Sequence, residues 1–260
     1  LIKISMKDNI PTSAKVVVIG GGIAGCSVAY HLTEFGWNDI VLLERDQLTS
    51  GTTWHAAGLL GQVGASATIT KLRNYSLNLY KKLQEETGIE TGLKQNGSLT
   101  VATDTDRLEE LKRQATFAQR FNIQVDEVNI DKIIEWYPLI ITKDIVGGIY
   151  IPKDGQADPI GITNVLAKAA KKNGEKFFEN CPVKKILTKN GSIIGVDTIY
   201  GKIQCEYIVL ATGMWSRQIA SDINVSIPVY PNEHFYILSE PLDRINKSLP
   251  VLRDYNNCLY

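Results

Sequence analysis

Gly20, Gly22 and Gly25 stand in the spacing G-x-G-x-x-G, and Glu44 follows about 20 residues later. These are the residue types that hold a dinucleotide. Gly20 suits a tight turn, Gly22 lets the backbone approach a pyrophosphate, and Gly25 lets a helix pack closely on a strand. A carboxylate at Glu44 accepts hydrogen bonds from ribose hydroxyls and repels the extra phosphate of NADP. One βαβ unit after the fingerprint comes Ser50-Gly51-Thr52-Thr53-Trp54-His55-Ala56-Ala57-Gly58. There His55 would lie at the edge of a cofactor's reactive ring system, where an imidazole can form a covalent bond.

The elements that must position these residues are legible around them. Lys15-Val16-Val17-Val18-Ile19 is a continuous β-branched run, the pattern of a strand buried on both faces. The helix expected over about 23–35 points its N-terminal N–H groups and positive dipole end at the phosphates. Asp39 to Glu44 reads as the second parallel strand. Helices are expected over 68–86, over 104–121 with Asp104 or Thr105 as N-cap, and over 159–172 with Asp158 as N-cap and Pro159 at the first position. Segments 97–102 and 148–151 read as strands, and 183–201, broken at Asn190-Gly191 and Tyr200-Gly201, as hairpins. Glu206 to Gly213 is a buried strand ending in Ala211-Thr212-Gly213, small residues beside which a cofactor fits, with a helix beginning near Trp215. Pro228 to Leu238 reads as an extended strand carrying His234, and Val251 to Tyr260 as the start of another. Because the chain stops inside that apolar pattern, it is expected to be a fragment with an incomplete substrate domain.

Composition bounds the function. The chain has 260 residues, 44% hydrophobic and 22% charged, with formal net charge +0, so no partnership with nucleic acid is indicated. No stretch approaches the ~20 apolar residues of a membrane span, and the mixed segment 1–14 has no signal-peptide core, so no membrane insertion is expected. Met6 is a candidate translation start, with Leu1 to Ser5 an upstream extension. Cys26, Cys181, Cys205 and Cys258 are too widely spaced for a zinc or redox motif and fit a reducing compartment, and no metal site is expected. Cys26 reads as a small buried hydrophobe, and His31, in mid-helix, as a scaffold residue.

With the Thr-Ser-Gly-Thr-Thr-Trp-His-Ala-Ala-Gly-Leu-Leu run of 49–60, Asn96-Gly-Ser, Asp154-Gly and Glu179-Asn-Cys-Pro-Val183, the chain from 14 to 260 resembles the FAD-dependent amine oxidoreductases of the D-amino-acid oxidase superfamily, within it the sarcosine and dimethylglycine dehydrogenase group. The resemblance implies an α/β fold: a Rossmann-like FAD-binding domain with a parallel sheet (14–92 and 152–223), interleaved with a truncated antiparallel substrate domain (93–151 and 224–260). It implies FAD joined covalently through His55 at the flavin 8α-methyl, the rival reading being a histidine that only hydrogen-bonds its neighbours. The cofactor-binding set it implies is Gly20, Gly22, Ile23, Ala24, Gly25, Glu44, Arg45, Gly51, Thr52, Thr53, Trp54, His55, Ala56, Ala57, Gly58, Leu59, Val183, Ala211, Gly213 and Trp215.

The activity implied is oxidative N-demethylation of a small N-methylated glycine, sarcosine or dimethylglycine, with hydride passing from the N-methyl carbon to flavin N5 and an iminium left behind. His234 would take the amine proton and Tyr260 would position its imidazole; a histidine satisfied in the core is the rival. Electron-transfer flavoprotein or oxygen would accept the electrons, and tetrahydrofolate would act only in a further C-terminal region. The compartment implied is the bacterial cytoplasm, or the mitochondrial matrix in a eukaryote. Two alternatives share the scaffold: a non-catalytic regulatory flavoprotein similar to the pyruvate dehydrogenase phosphatase regulatory subunit, and an amino-acid oxidase with noncovalent FAD.

Overall fold

A run of β-branched residues with no polar interruption forms a strand only if both faces can be covered. In the computed structural model, which describes residues 10–243, 245–246 and 248–260, the Val16–Ile19 run does so at the centre of a sheet. Met6 and Leu1 to Ser5 lie outside the described residues. In chain order the first elements are β1 (Ser13–Ile19), α1 (Ile23–Glu34), β2 (Ile40–Leu43), a 3-10 turn (Thr53–His55), β3 (Leu59–Leu60) and α2 (Ala67–Thr87). Next come β4 (Ser98–Ala102), α3 (Thr105–Gln119), β5 (Asp126–Val128), α4 (Ile130–Trp136), β6 (Gly147–Ile151), β7 (Gly155–Gln156) and α5 (Pro159–Lys172). The last are β8 (Lys176–Phe178), β9 (Val183–Lys189), β10 (Ser192–Thr198), β11 (Gly201–Leu210), a 3-10 turn (Gly213–Trp215), α6 (Ser216–Ser221) and β12 (Val251–Asp254).

The chain forms two compact units. The first (1–57, 83–89 and 159–235) holds a six-stranded sheet in the order β8-β2-β1-β11-β10-β9. Its four strands β8, β2, β1 and β11 run parallel, with Val17 of β1 opposite Val41 and Ile208. That places the apolar run of β1 between two strands of the same character, and Val17, Val41, Val196 and Ile203 are all buried in one cluster. Helix α1 packs on α5. Its buried Gly25, Cys26, Ala29 and Tyr30 recur at helical spacing, as do Ile162, Val165, Leu166, Ala169 and Ala170 of α5.

The second unit (58–82, 90–158 and 236–260) holds a four-stranded sheet, β12-β4-β6-β5, and the small pair β3–β7. Within it β4–β6 and β5–β6 are antiparallel, whereas β12 lies parallel to β4, so this sheet is mixed rather than purely antiparallel. Asp104 caps α3 by accepting from the Arg107 N–H at 2.7 Å, as its place before the helix foretells. These units divide the chain at other positions than the sequence boundaries. Residues 58–82 fall in the second unit, and so does 152–158, where β7 pairs with β3.

Several elements differ from the sequence reading. The expected hairpin limb and the strand at 206 are one ten-residue strand, β11, which pairs antiparallel with β10 and parallel with β1. No strand forms over 228–238: the segment has no regular structure, and Phe235, Ile237 and Leu238 are exposed. A strand exists only through ladder partners for its N–H and C=O groups, and no described strand pairs with this segment. The segment at 251 keeps strand form only to Asp254, then turns so that Asp254 and Leu259 bond each other, leaving Tyr260 outside any strand.

Candidate functional site

The tight spacing of the glycines becomes a set of contacts once β1 and β11 lie side by side. Gly20 has φ +111°, and a Cβ there would lie 2.4 Å from the Ala211 carbonyl oxygen. A Cβ on Gly25 would lie 1.9 Å from the Gly20 carbonyl oxygen. The two small-residue motifs are therefore halves of one device: the Ala-Thr-Gly ending of β11 fits against the glycine turn that ends β1, joined by the Ala211 N–H to the Ile19 carbonyl at 2.9 Å. Gly21, outside the fingerprint's fixed positions, is equally constrained, since its Cβ would lie 2.6 Å from Leu48 Cδ2 and 2.9 Å from Glu44 Cβ.

Glu44 is buried and ties this loop in place. The Gly21 N–H donates to its Oε2 at 2.6 Å, and the Asp46 N–H donates to its Oε1 at 2.9 Å. Each oxygen keeps a further lone pair. The start of α1 has neither an acidic residue in its first turn nor a side-chain cap from Gly22, which leaves its dipole end open to an anion.

Above this floor lies a cavity of about 480 Å³ in the first unit. Of the sequence-predicted residues, Gly20, Gly22, Ile23, Ala24, Glu44, Arg45, Gly51, Thr52, Thr53, Val183, Ala211, Gly213 and Trp215 all line it. Gly25 stands behind the wall as the packing glycine. Thr212, of the Ala211-Thr212-Gly213 ending, lines it too, while Pro182, Ser216 and Ile219 also line it and escaped the sequence reading. Of these lining residues the Arg45 guanidinium lies over the Trp215 ring, 3.9 Å from its centroid, while its Nε donates to Asp46 at 3.1 Å.

The loop that carries His55 is pinned to this floor. Thr53 is buried, and its Oγ1 accepts from the Ile23 N–H, the first residue of α1, at 3.1 Å. The Thr49 N–H donates to the Gly21 carbonyl at 3.0 Å. His55 therefore stands two residues from an anchor on the helix that faces the phosphate position. Its ring is exposed and lies against Trp54, with centroids 3.6 Å apart and planes at 33°. Trp54, His55, Ala56, Ala57, Gly58 and Leu59 are not among the cavity's lining residues; Gly58 and Leu59 belong to the second unit.

His234 lies in the exposed irregular segment of the first unit, and Tyr260, also exposed, in the second. His31 behaves as scaffold, its Nδ1 2.7 Å from the Ser27 carbonyl oxygen. Cys26 is buried, its thiol donates to the Gly21 carbonyl at 3.7 Å, and desolvation pushes its pKa up to about 12. No helix among the described residues is long and apolar enough to cross a membrane.

The glycine cradle, the carboxylate and the cavity fit a bound dinucleotide, and comparison with known proteins names which one. The profile of the FAD dependent oxidoreductase family (DAO) matches residues 15–260. The chain belongs to that family. It is 37% identical over 253 residues to 4-methylaminobutanoate oxidase (formaldehyde-forming) of Paenarthrobacter nicotinovorans, covering 97% of this chain and 31% of the relative. It is 38% identical over 254 residues to the mouse mitochondrial pyruvate dehydrogenase phosphatase regulatory subunit, covering 96% and 29%. To human mitochondrial sarcosine dehydrogenase it is 37% identical over 257 residues, covering 96% and 28%. Among solved structures, L-proline dehydrogenase from P. horikoshii matches with a TM-score of 0.86 at 29% identity, over 95% of this chain and 66% of that one. The chain thus spans about a third of the length of these curated relatives. The mixed α/β architecture is that of the family's FAD-binding fold.

Proposed function

We propose that this chain is the flavin-binding part of an enzyme that oxidatively demethylates a small N-methylated amino acid, with sarcosine or dimethylglycine as first candidates. The observation that carries this reading is the hydrogen bond from the Ile23 N–H to Thr53 Oγ1, which holds the His55 loop against the glycine cradle. In this reading Gly20 and Gly22 give the backbone room for the pyrophosphate, Glu44 accepts from the ribose, and the stacked Arg45 and Trp215 line the cavity around the cofactor. FAD, when bound, supplies the acceptor for a hydride leaving the N-methyl carbon of the substrate. His55, held by Thr53 and exposed, is the residue we assign to covalent attachment of the flavin.

The substrate amine is mostly protonated at neutral pH and holds its electron pair in the N–H bond. In this reading His234 would accept that proton at an imidazole nitrogen, Tyr260 is the second residue assigned to the step, and the substrate is left as an iminium after hydride loss. Electron-transfer flavoprotein or oxygen would reoxidise the enzyme, and a folate-binding region in the rest of the protein would take up the one-carbon unit.

Acid precipitation tests the attachment. The full-length protein should keep its yellow colour in the pellet and show a fluorescent band on a denaturing gel, while His55→Ala should release its FAD into the supernatant. A colourless wild-type pellet overturns it. A second reading, a non-catalytic regulatory flavoprotein, draws support from the 38% identity to the phosphatase regulatory subunit. Turnover of sarcosine or dimethylglycine by the full-length protein separates the two readings, since a regulatory subunit would leave both substrates unconsumed.

A further inference from the structure

An asparagine followed by glycine can lose its side-chain amide to attack by the next backbone nitrogen, because glycine has no Cβ to hinder the approach. The chain contains three such steps, Asn96-Gly97, Asn173-Gly174 and Asn190-Gly191. The reaction needs two groups to be free. The asparagine amide must swing its carbonyl carbon toward the chain, and the glycine N–H must give up its proton. Where either group is held in a hydrogen bond, that bond has to break first.

At Asn96 and Asn173 both groups are held. Asn96 donates its Nδ2 to the Leu249 carbonyl, and the buried Gly97 donates its N–H to the Asp154 carbonyl at 2.9 Å. Asn173 is exposed, yet its Nδ2 donates to Thr33 Oγ1 at 3.0 Å and the Gly174 N–H donates to the Lys171 carbonyl at 3.1 Å. Exposure alone therefore does not single out a site. Asn190 and Gly191 form the exposed two-residue loop between β9 and β10, with φ +53° and +78°, and Lys189 pairs with Ser192 across it. Such hairpin loops demand a left-handed backbone at both positions. Among the described residues neither the Asn190 side chain nor the Gly191 N–H has a hydrogen-bond partner. The space is open too, since a Cβ on Gly191 would meet nothing within 4 Å.

We propose that Asn190 is a modification site, the position at which the folded protein deamidates. The Gly191 nitrogen attacks Asn190 Cγ, and its proton passes to hydroxide or a buffer base. The bond from Cγ to the side-chain nitrogen breaks, and ammonia leaves with a proton from water. The cyclic imide then takes up one water molecule. Opening at the side-chain carbonyl gives aspartate; opening at the main-chain carbonyl gives isoaspartate. One water is consumed and one ammonia released, with nothing oxidised or reduced. The aspartyl product keeps the turn, because aspartate tolerates a left-handed backbone, and adds a negative charge at the hairpin tip beside Lys189. The isoaspartyl product carries an extra main-chain carbon, so the two-residue loop is lost and the Lys189–Ser192 pair opens.

Peptide mass mapping of the flavin-loaded full-length protein, incubated at mildly alkaline pH in heavy-oxygen water, tests the site. The heavy oxygen marks acid formed during the incubation. Asn190 should convert at a rate that rises with pH. Asn96 and Asn173 should lag it by roughly ten- to a hundredfold, the range set by two hydrogen bonds that must break first. In denaturant, where those bonds are gone, the three sites should react at similar rates. Thr33→Val removes the acceptor of Asn173 Nδ2 and should quicken Asn173 alone, while Gly191→Ala should slow Asn190 alone. Should either variant fail to fold, the contrast between native and denatured parent protein still decides. Native Asn190 converting no faster than Asn96 or Asn173 overturns the proposal. So does an unchanged ranking of the three sites in denaturant, which would trace the difference to neighbouring sequence and not to the fold.

Discussion

Glu44 carries two loads that a single substitution can separate. In the sequence it is the acid for the ribose; in the structure it also holds the Gly21 and Asp46 N–H groups at 2.6 and 2.9 Å. A hydrogen bond to a charged group contributes roughly 1.5–3 kcal/mol. Removing both would cost up to about 6 kcal/mol, but Asp46 is exposed, so its N–H recovers water, and about 2–4 kcal/mol is the expected loss of folding stability in Glu44→Ala. Glu44→Gln keeps an oxygen for Gly21 but turns an NH₂ toward the Asp46 N–H, so about 1.5–3 kcal/mol should go. Chemical denaturation of the apo-protein reads this part. The ribose contact is read separately, by FAD uptake in a His55→Ala background where binding is reversible. There Glu44→Ala should weaken uptake by about one to two decades. If Glu44→Gln unfolds at the parent's denaturant midpoint, the loop tie contributes nothing and the stability argument fails. If Glu44→Ala, under conditions where it is folded, takes up FAD as the parent does, Glu44 does not touch the ribose.

Three further outcomes are expected. His234→Ala in the full-length enzyme should slow flavin reduction by ~10²–10⁴-fold near neutral pH, less at high pH where the substrate amine is already neutral, and Tyr260→Phe should slow it less; stopped-flow bleaching at wild-type rate in His234→Ala would place that histidine in the scaffold. Glu175 is buried, neither carboxylate oxygen has a hydrogen-bond partner among the described residues, and desolvation pushes its pKa up to about 8. The folded state therefore holds a proton that the unfolded chain has released, so its contribution to stability is full below about pH 4.3 and is lost as pH rises through 8; Glu175→Gln should flatten that decline in denaturation midpoints, and an unchanged slope would count against it. Of the four cysteines only Cys258 is exposed, and burial raises the thiol pKa of Cys26 to about 12 and of Cys205 to about 11; a thiol reagent should titrate one group in the native protein and four after unfolding.

What could be read in the sequence follows from where each element's partners lie. The β1–α1–β2 cradle was legible because its signals are local: a β-branched run, fixed glycines, an acid at a set distance. Even so, Gly21 was missed, because its constraint comes from Leu48 and Glu44, whose positions exist only after folding. The short elements β5, β7 and β8 and the helix α4 also went unread. Strands of two or three residues show no period, and α4 announces itself only by Asn129, which accepts from the Lys132 N–H at 3.0 Å. Residues 228–238 failed for the opposite reason. Their apolar pattern is clear, but a strand is a property of a pair, and the described residues supply no ladder for it. The same logic separates Arg73 and Arg253, which line a cavity of about 390 Å³ in the second unit, from the fingerprint glycines. Arg73 and Arg253 are far apart in sequence and match no motif. Only the parallel docking of β12 on β4 brings Arg253 over Gly61, beside the face of α2 that carries Arg73. A dinucleotide cradle can be spelled by one continuous βαβ stretch, whereas a cavity lined by segments distant in sequence becomes visible only in three dimensions.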